Sequence, residues 1–257
     1  MQPQRRPENH KAKRFSRFAL SLAAAVIFTA CTTAARPPPA VFPHPAAPPA
    51  VDSGWWYARF RMHWPEGADP AWHLDLLTAH RVIKPVLLGH WQDIPLWRFH
   101  RRAARDAAGH QFSFIFFASA ETARKIYAEI SRDGSLMLAR SSGCILEVVY
   151  DDPTTVSRPA ISDTSDPNWS APLRQAWPYY LMGASQMWLD LISEMADGAQ
   201  ETETASTFGD LDHRYAGINA AITTLWQNEG RHAFLHHLNA LFGYEPIVIV
   251  EKRHMRF

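Results

Sequence analysis

"WWYARFRMHW", residues 55–64, alternates without a break: Trp56, Ala58, Phe60, Met62 and Trp64 fall on one side, and Trp55, Tyr57, Arg59, Arg61 and His63 on the other. Strand side chains point to opposite faces in turn, so the stretch predicts a half-buried strand with an apolar inner face and a cationic outer one. The segments that follow define its surroundings. "DPAWHLDLLTAHRVIKPVLLGHW" predicts a helix with Asp69 as N-cap and Pro70 in its first position, kinked or ended at Pro85. Two aromatic-rich runs, 96–103 and 110–118, flank the turn "RDAAGH" and predict a hairpin. A second helix opens on Ser119 as N-cap and turns Ile126, Tyr127 and Ile130 inward, and "CILEVVY" (144–150) predicts a fourth strand.

The order β-α-β-β-α-β is the plan of an α+β fold, a ferredoxin-like antiparallel sheet with helices on one face. A helical extension follows. Trp177, Leu181, Ala184, Trp188, Leu191 and Met195 recur at spacings of four and three, a second helical stretch covers 216–242 and closes at Gly243, and "PIVIVEKRHMRF" predicts a fifth strand. Between the two helices, "DGAQETETAST" (197–207) reads as an acidic surface loop. Residues 55–257 are expected to form one domain. The opening "WWY", a leucine-rich helix, "WRF" followed by arginine, a histidine at the turn and an aromatic strand loosely resemble the C-terminal domain of lantibiotic dehydratases and their thiopeptide-type relatives. The resemblance spans 55 to about 150 and implies the fold; because those proteins act on cytoplasmic precursor peptides, no catalytic residue is carried over.

Ahead of the domain, the apolar run Phe18–Ala30 has thirteen residues, short of the ~20 that a helix needs to cross a bilayer. Six basic residues precede it, Arg5, Arg6, Lys11, Lys13, Arg14 and Arg17, against the single acid Glu8, which is the pattern of a secretory signal peptide over 1–30. Its end, "IFTAC", resembles the lipobox of bacterial lipoproteins, with Phe28 in place of the usual leucine. That resemblance implies acylation of Cys31, a membrane partner reached through the lipid, and, with Thr32 rather than aspartate next in line, the outer membrane facing the periplasm. Residues 31–54 then form a lipidated terminus and a tether, with seven prolines between Arg36 and Pro49 favouring extended chain.

Loss of residues 1–31 leaves 20 basic against 24 acidic residues, a formal charge of −4, which argues against nucleic acid as a partner. With Cys31 acylated, Cys144 has no cysteine to pair with, so stability must come from the core, to which ten Trp and fourteen Phe contribute. No nucleophile elbow, phosphate loop, dinucleotide fingerprint or paired-cysteine site occurs, and neither a cofactor nor a metal is expected. Glu229, His232 and His236 share one side of a helix at α-helical spacing but face solvent, opposite Phe234, Leu238 and Leu241. Asp163, Asp166 and Asn168 lack the spacing of a calcium loop and read as turn caps.

The cationic strand face is the more informative feature. Alternation along 96–103 adds Arg98, His100 and Arg102 to Arg59, Arg61 and His63, giving six cationic or titratable side chains on one face. Guanidinium forks suit carboxylate or phosphate. The expectation is an envelope binding or interaction module whose ligand is an anionic group or an envelope protein. The alternative is an enzyme acting on an anionic or peptide substrate, with His63 or His100 as acid or base.

Overall fold

The computed structural model describes residues 52–198 and 207–244. The leader, Cys31, most of the tether and acidic loop, and the strand expected at 246–257 lie outside the described residues. Four strands form one antiparallel sheet: β1 (Ser53–Met62), β2 (Leu96–Ala103), β3 (His110–Ser119) and β4 (Ile145–Tyr150), in the order β2-β3-β1-β4. This is the α+β, ferredoxin-like arrangement, and its two central strands are the two richest in aromatic residues. Trp56, Ala58, Phe60 and Met62 of β1 join Phe112, Phe114 and Phe116 of β3 on the inner face, each at most 2% exposed. Trp56, which has an N–H to satisfy, donates it to the Ala118 carbonyl at 2.8 Å.

Helices α1 (His73–Leu77), α2 (Lys84–Gly89), α3 (Ala120–Arg132) and α4 (Gly134–Ser141) supply side chains to this inner core, including Leu76, Leu87, Ile126 and Ala139. Ser119 caps α3 as expected, its Oγ accepting the Thr122 N–H at 3.1 Å. The first helix departs from expectation at its start. It starts at His73 with Trp72 as N-cap and no side-chain cap, not at Asp69. Of the two outcomes expected at Pro85, the helix does not end there: the ladder widens into a π-turn over Thr78–Ile83, and α2 follows with Pro85 in its first turn. Trp64, expected inward, lies beyond the end of β1. Its indole N–H bonds the Ala68 carbonyl, and the Arg105 guanidinium stacks 3.5 Å over its ring.

The extension consists of α5 (Ala171–Gly198), α6 (Phe208–Gly230), a π-turn (Arg231–His236) and α7 (His237–Leu241). The expected stripe on α5 is displaced by one residue: Pro178, Ser185, Leu189, Ile192 and Ala196 are the buried positions, while Trp177, Leu181, Trp188 and Leu191 are half-buried. The roll is explained by the edge of the sheet. Among the described residues β2 has no strand on its outer side, and Ser185 Oγ accepts the Phe99 N–H at 3.0 Å, a bond a neighbouring strand would otherwise make. Trp188 then packs its ring against Phe99, 5.6 Å between centroids. Helix α6 begins eight residues earlier than expected, because Thr207 and Asp210 exchange capping bonds, N–H to carboxylate at 3.1 Å and N–H to hydroxyl at 3.3 Å.

Candidate functional site

Register fixes what the outer face presents. Successive rows across β2, β3 and β1 are Leu96, Phe117 and Trp55; then Arg98, Ile115 and Tyr57; then His100, Ser113 and Arg59; then Arg102, Gln111 and Arg61. Strand β4 adds Val149 beside Arg59 and Glu147 beside Arg61. The first row is buried, roofed by Ile161 and by Met182 of α5, with the Trp55 indole donating to the carbonyls of Ala160 (3.1 Å) and Ile161 (3.0 Å). The loop that leads into the roof also passes close to the inner side of β1. A Cβ at Gly54 would stand 2.5 Å from the Val156 side chain and 3.0 Å from the Arg158 carbonyl, so a side chain there would displace it. The face therefore runs from covered at Trp55 to open at Arg61, which is exposed together with His63 and His100.

Along that gradient the six expected side chains fare differently. Arg59 bonds Asp151 (Nη1 to Oδ1, 2.8 Å), and Arg158 from the roof takes the other oxygen of the same carboxylate. Both guanidinium carbons lie over the Tyr57 ring, at 4.4 and 4.3 Å. One carboxylate thus serves two arginines. Arg102 is held at the open end by Asp106, whose carboxylate also accepts the N–H groups of Ala108 and Gly109 and so shapes the hairpin turn. Arg61 lies opposite Glu147, and neither it nor His63 has an ion pair among the described residues. His63 lies past the strand end, its backbone N–H bonded to the Cys144 carbonyl.

Arg98 differs from all of these. Its Nη2 donates to the Thr164 carbonyl at 3.2 Å, its Nε is buried without a partner, and no carboxylate among the described residues pairs with it. Burial pulls its guanidinium below the ordinary arginine value, and the Tyr57 hydroxyl opposes the shift. The Arg158 Nε and the Thr164 hydroxyl are also buried and unpartnered. His100, in the next row, titrates below the usual imidazole range through desolvation first and then through Arg98 and Arg102 on either side. Buried donors in excess over acceptors are the chemistry of an anion site. The roof residues Asp151, Arg158 and Thr164 were not singled out from the sequence, because they lie in a loop without periodicity.

A second polar group, also missed, lies on the inner face. Arg101 points inward from β2, its Nε on Asp75 Oδ2 at 2.8 Å and its Nη2 on the Trp72 carbonyl at 3.0 Å, with its plane between the Trp72 and Trp188 rings at 5.0 and 4.9 Å. Asp75 and His110 are fully buried, and His110 Nε2 stands 3.0 Å from Asp75 Oδ1 outside hydrogen-bonding geometry. The signal was present as an aspartate inside the run Leu74–Leu77 and an arginine at an inward strand position. Asp163 and Asp166 bond the backbone N–H groups of Ala160 and Asn168, the capping role expected of them. No family model, curated protein or solved structure matches the chain.

Proposed function

We propose that the protein is a lipoprotein of the bacterial cell envelope, acylated at Cys31 and held at the outer membrane facing the periplasm, whose domain binds an anionic group on the outer face of the sheet. The observation that carries the reading is Arg98: a half-buried guanidinium without a carboxylate, its Nε withdrawn from water and unpartnered, beside further buried donors on Arg158 and Thr164. A buried unpaired charge is costly unless something neutralises it, and a carboxylate or phosphate would do so with bidentate geometry. Arg59, Arg61 and Arg102 extend the positive surface toward the open end, where a larger ligand would continue. Binding is favoured over catalysis because, of the two histidines considered as acid or base, His63 lies past the end of β1 and only His100 sits among the arginines.

The test is titration with inorganic phosphate, followed by the rise in Tm. Saturable stabilisation that is lost in Arg98→Gln supports the site; an unchanged Tm at millimolar phosphate and acetate, or identical stabilisation of the variant, overturns it. The anchor is tested separately, by metabolic labelling with palmitate. Label that persists in Cys31→Ser would refute acylation there.

A further inference from the structure

At an α-helical period, Glu229, His232 and His236 would share one side of the last helix and His237 would lie elsewhere. The helix does not keep that period. Residues Arg231–His236 form a π-turn, in which each bond reaches one residue further than in an α-helix and more residues fit into each turn. Positions i, i+4 and i+5 are thereby brought together. The imidazole rings of His232, His236 and His237 form a nearly equilateral triangle, with centroids 5.0 Å (232 to 236), 5.3 Å (232 to 237) and 5.3 Å (236 to 237) apart. None of the residues of the π-turn is buried, so core packing does not account for it.

A second feature converges on the same rings. Tyr244 holds a left-handed backbone, φ 59°, directly after Gly243 at φ 70°. A bulky aromatic residue is rarely found there, and such strain persists only where neighbouring contacts hold it. Here it returns the chain over the helix end and sets the Tyr244 hydroxyl 3.2 Å from His236 Nε2.

We propose that His232, His236 and His237 form a binding site for a borderline divalent ion, Zn²⁺ or the more tightly held Cu²⁺, with Tyr244 positioning His236. Three imidazoles around one tetrahedral ion, at metal–nitrogen distances of 2.0–2.1 Å, have centroids about 5 Å apart, which matches the triangle. The nitrogens do not yet surround a common point, since no three ligating groups among the described residues are already placed to hold a cation. The His232 and His236 rings lie stacked, 13° between their planes, so at least one of them must turn about its side-chain torsions before both can point a nitrogen at one ion. Tyr244 on Nε2 leaves His236 Nδ1 for the ion, the outer-shell arrangement that fixes a ligating ring. Three nitrogen ligands leave one coordination position open to water. Histidine without thiolate or carboxylate selects this class over Mg²⁺ or Ca²⁺.

The experiment uses the full chain in detergent, without an affinity tag. Zn²⁺ binding is measured by calorimetry and Co²⁺ loading by visible absorption. One ion per chain is expected, with the intense visible bands of tetrahedral cobalt. His232→Ala, His236→Ala and His237→Ala should each weaken binding at least tenfold, and Tyr244→Phe by about tenfold. His237→Ala is the decisive variant, because an ordinary pair spaced by four residues would not notice its loss. Parent-like affinity in His237→Ala, or binding that survives the triple variant, overturns the proposal. All three side chains are exposed, so unchanged far-UV CD is expected throughout.

Discussion

Arg98 and Arg101 stand three residues apart on β2 and point to opposite faces of the sheet. Each guanidinium is half-withdrawn from water, yet Arg101 meets the carboxylate of Asp75 on the inner face and Arg98 meets only a carbonyl and a tyrosine hydroxyl on the outer one. The same residue type on the same strand is therefore neutralised in one place and left in want of a counter-charge in the other. Charge alone does not mark a binding site. What distinguishes the outer position is the absence of a carboxylate partner among the described residues, where the inner face gives Arg101 the carboxylate of Asp75.

The strongest test of the contrast removes the inner partner. Asp75→Ala leaves Arg101 and His110 facing an empty site and is expected to cost on the order of 3–5 kcal/mol, read from the urea midpoint. A second buried pair probes the same rule by pH. His80 Nδ1 lies 2.6 Å from the Tyr215 hydroxyl; burial lowers its pKa to about 4, aided by Lys84, and burial raises that of Tyr215 to about 12. Because the folded pKa of His80 lies below the unfolded one of ~6.5, its contribution is fully present above that value and is lost as pH falls toward 4. A loss on the order of 2–3 kcal/mol over that window is expected, and His80→Gln should flatten it.

Smaller effects sharpen the comparison. Ser185→Ala strands the Phe99 N–H at the sheet edge and should cost about 1–2 kcal/mol. Arg98→Met removes a desolvated charge that lacks a carboxylate and should raise stability by on the order of 1 kcal/mol in phosphate-free buffer, where Arg101→Met lowers it. Equal destabilisation by the two would erase the distinction. Arg102→Gln, at an exposed ion pair with Asp106, should leave Tm unchanged.

The alternation of residues 55–62 was enough to assign β1's faces, and with the hairpin and Ser119 it led to the sheet and its element order. Register then carried Arg59, Arg61, Arg98, His100 and Arg102 to one side. Less legible was everything decided by contacts between distant segments. The roof over Trp55 comes from residues around 160, with no periodic signal of their own, so the partition of the face into covered and open halves could not be read. The roll of α5 depends on one seryl oxygen meeting one strand N–H. Likewise the π-turns answer to local ladder geometry that apolar spacing does not encode.

The seal that Ser185 and Trp188 place along β2 has a consequence in time. Chain synthesis runs from the N-terminus, so the four strands are complete at Tyr150 while the residues of α5, 171–198, are still to come. Until they arrive, a nascent domain carries β2 as a raw border able to recruit a strand from another chain. A product stopped before residue 171 would keep that border permanently. It should self-associate through β2, and α5 would then be the internal chaperone of the strands made before it.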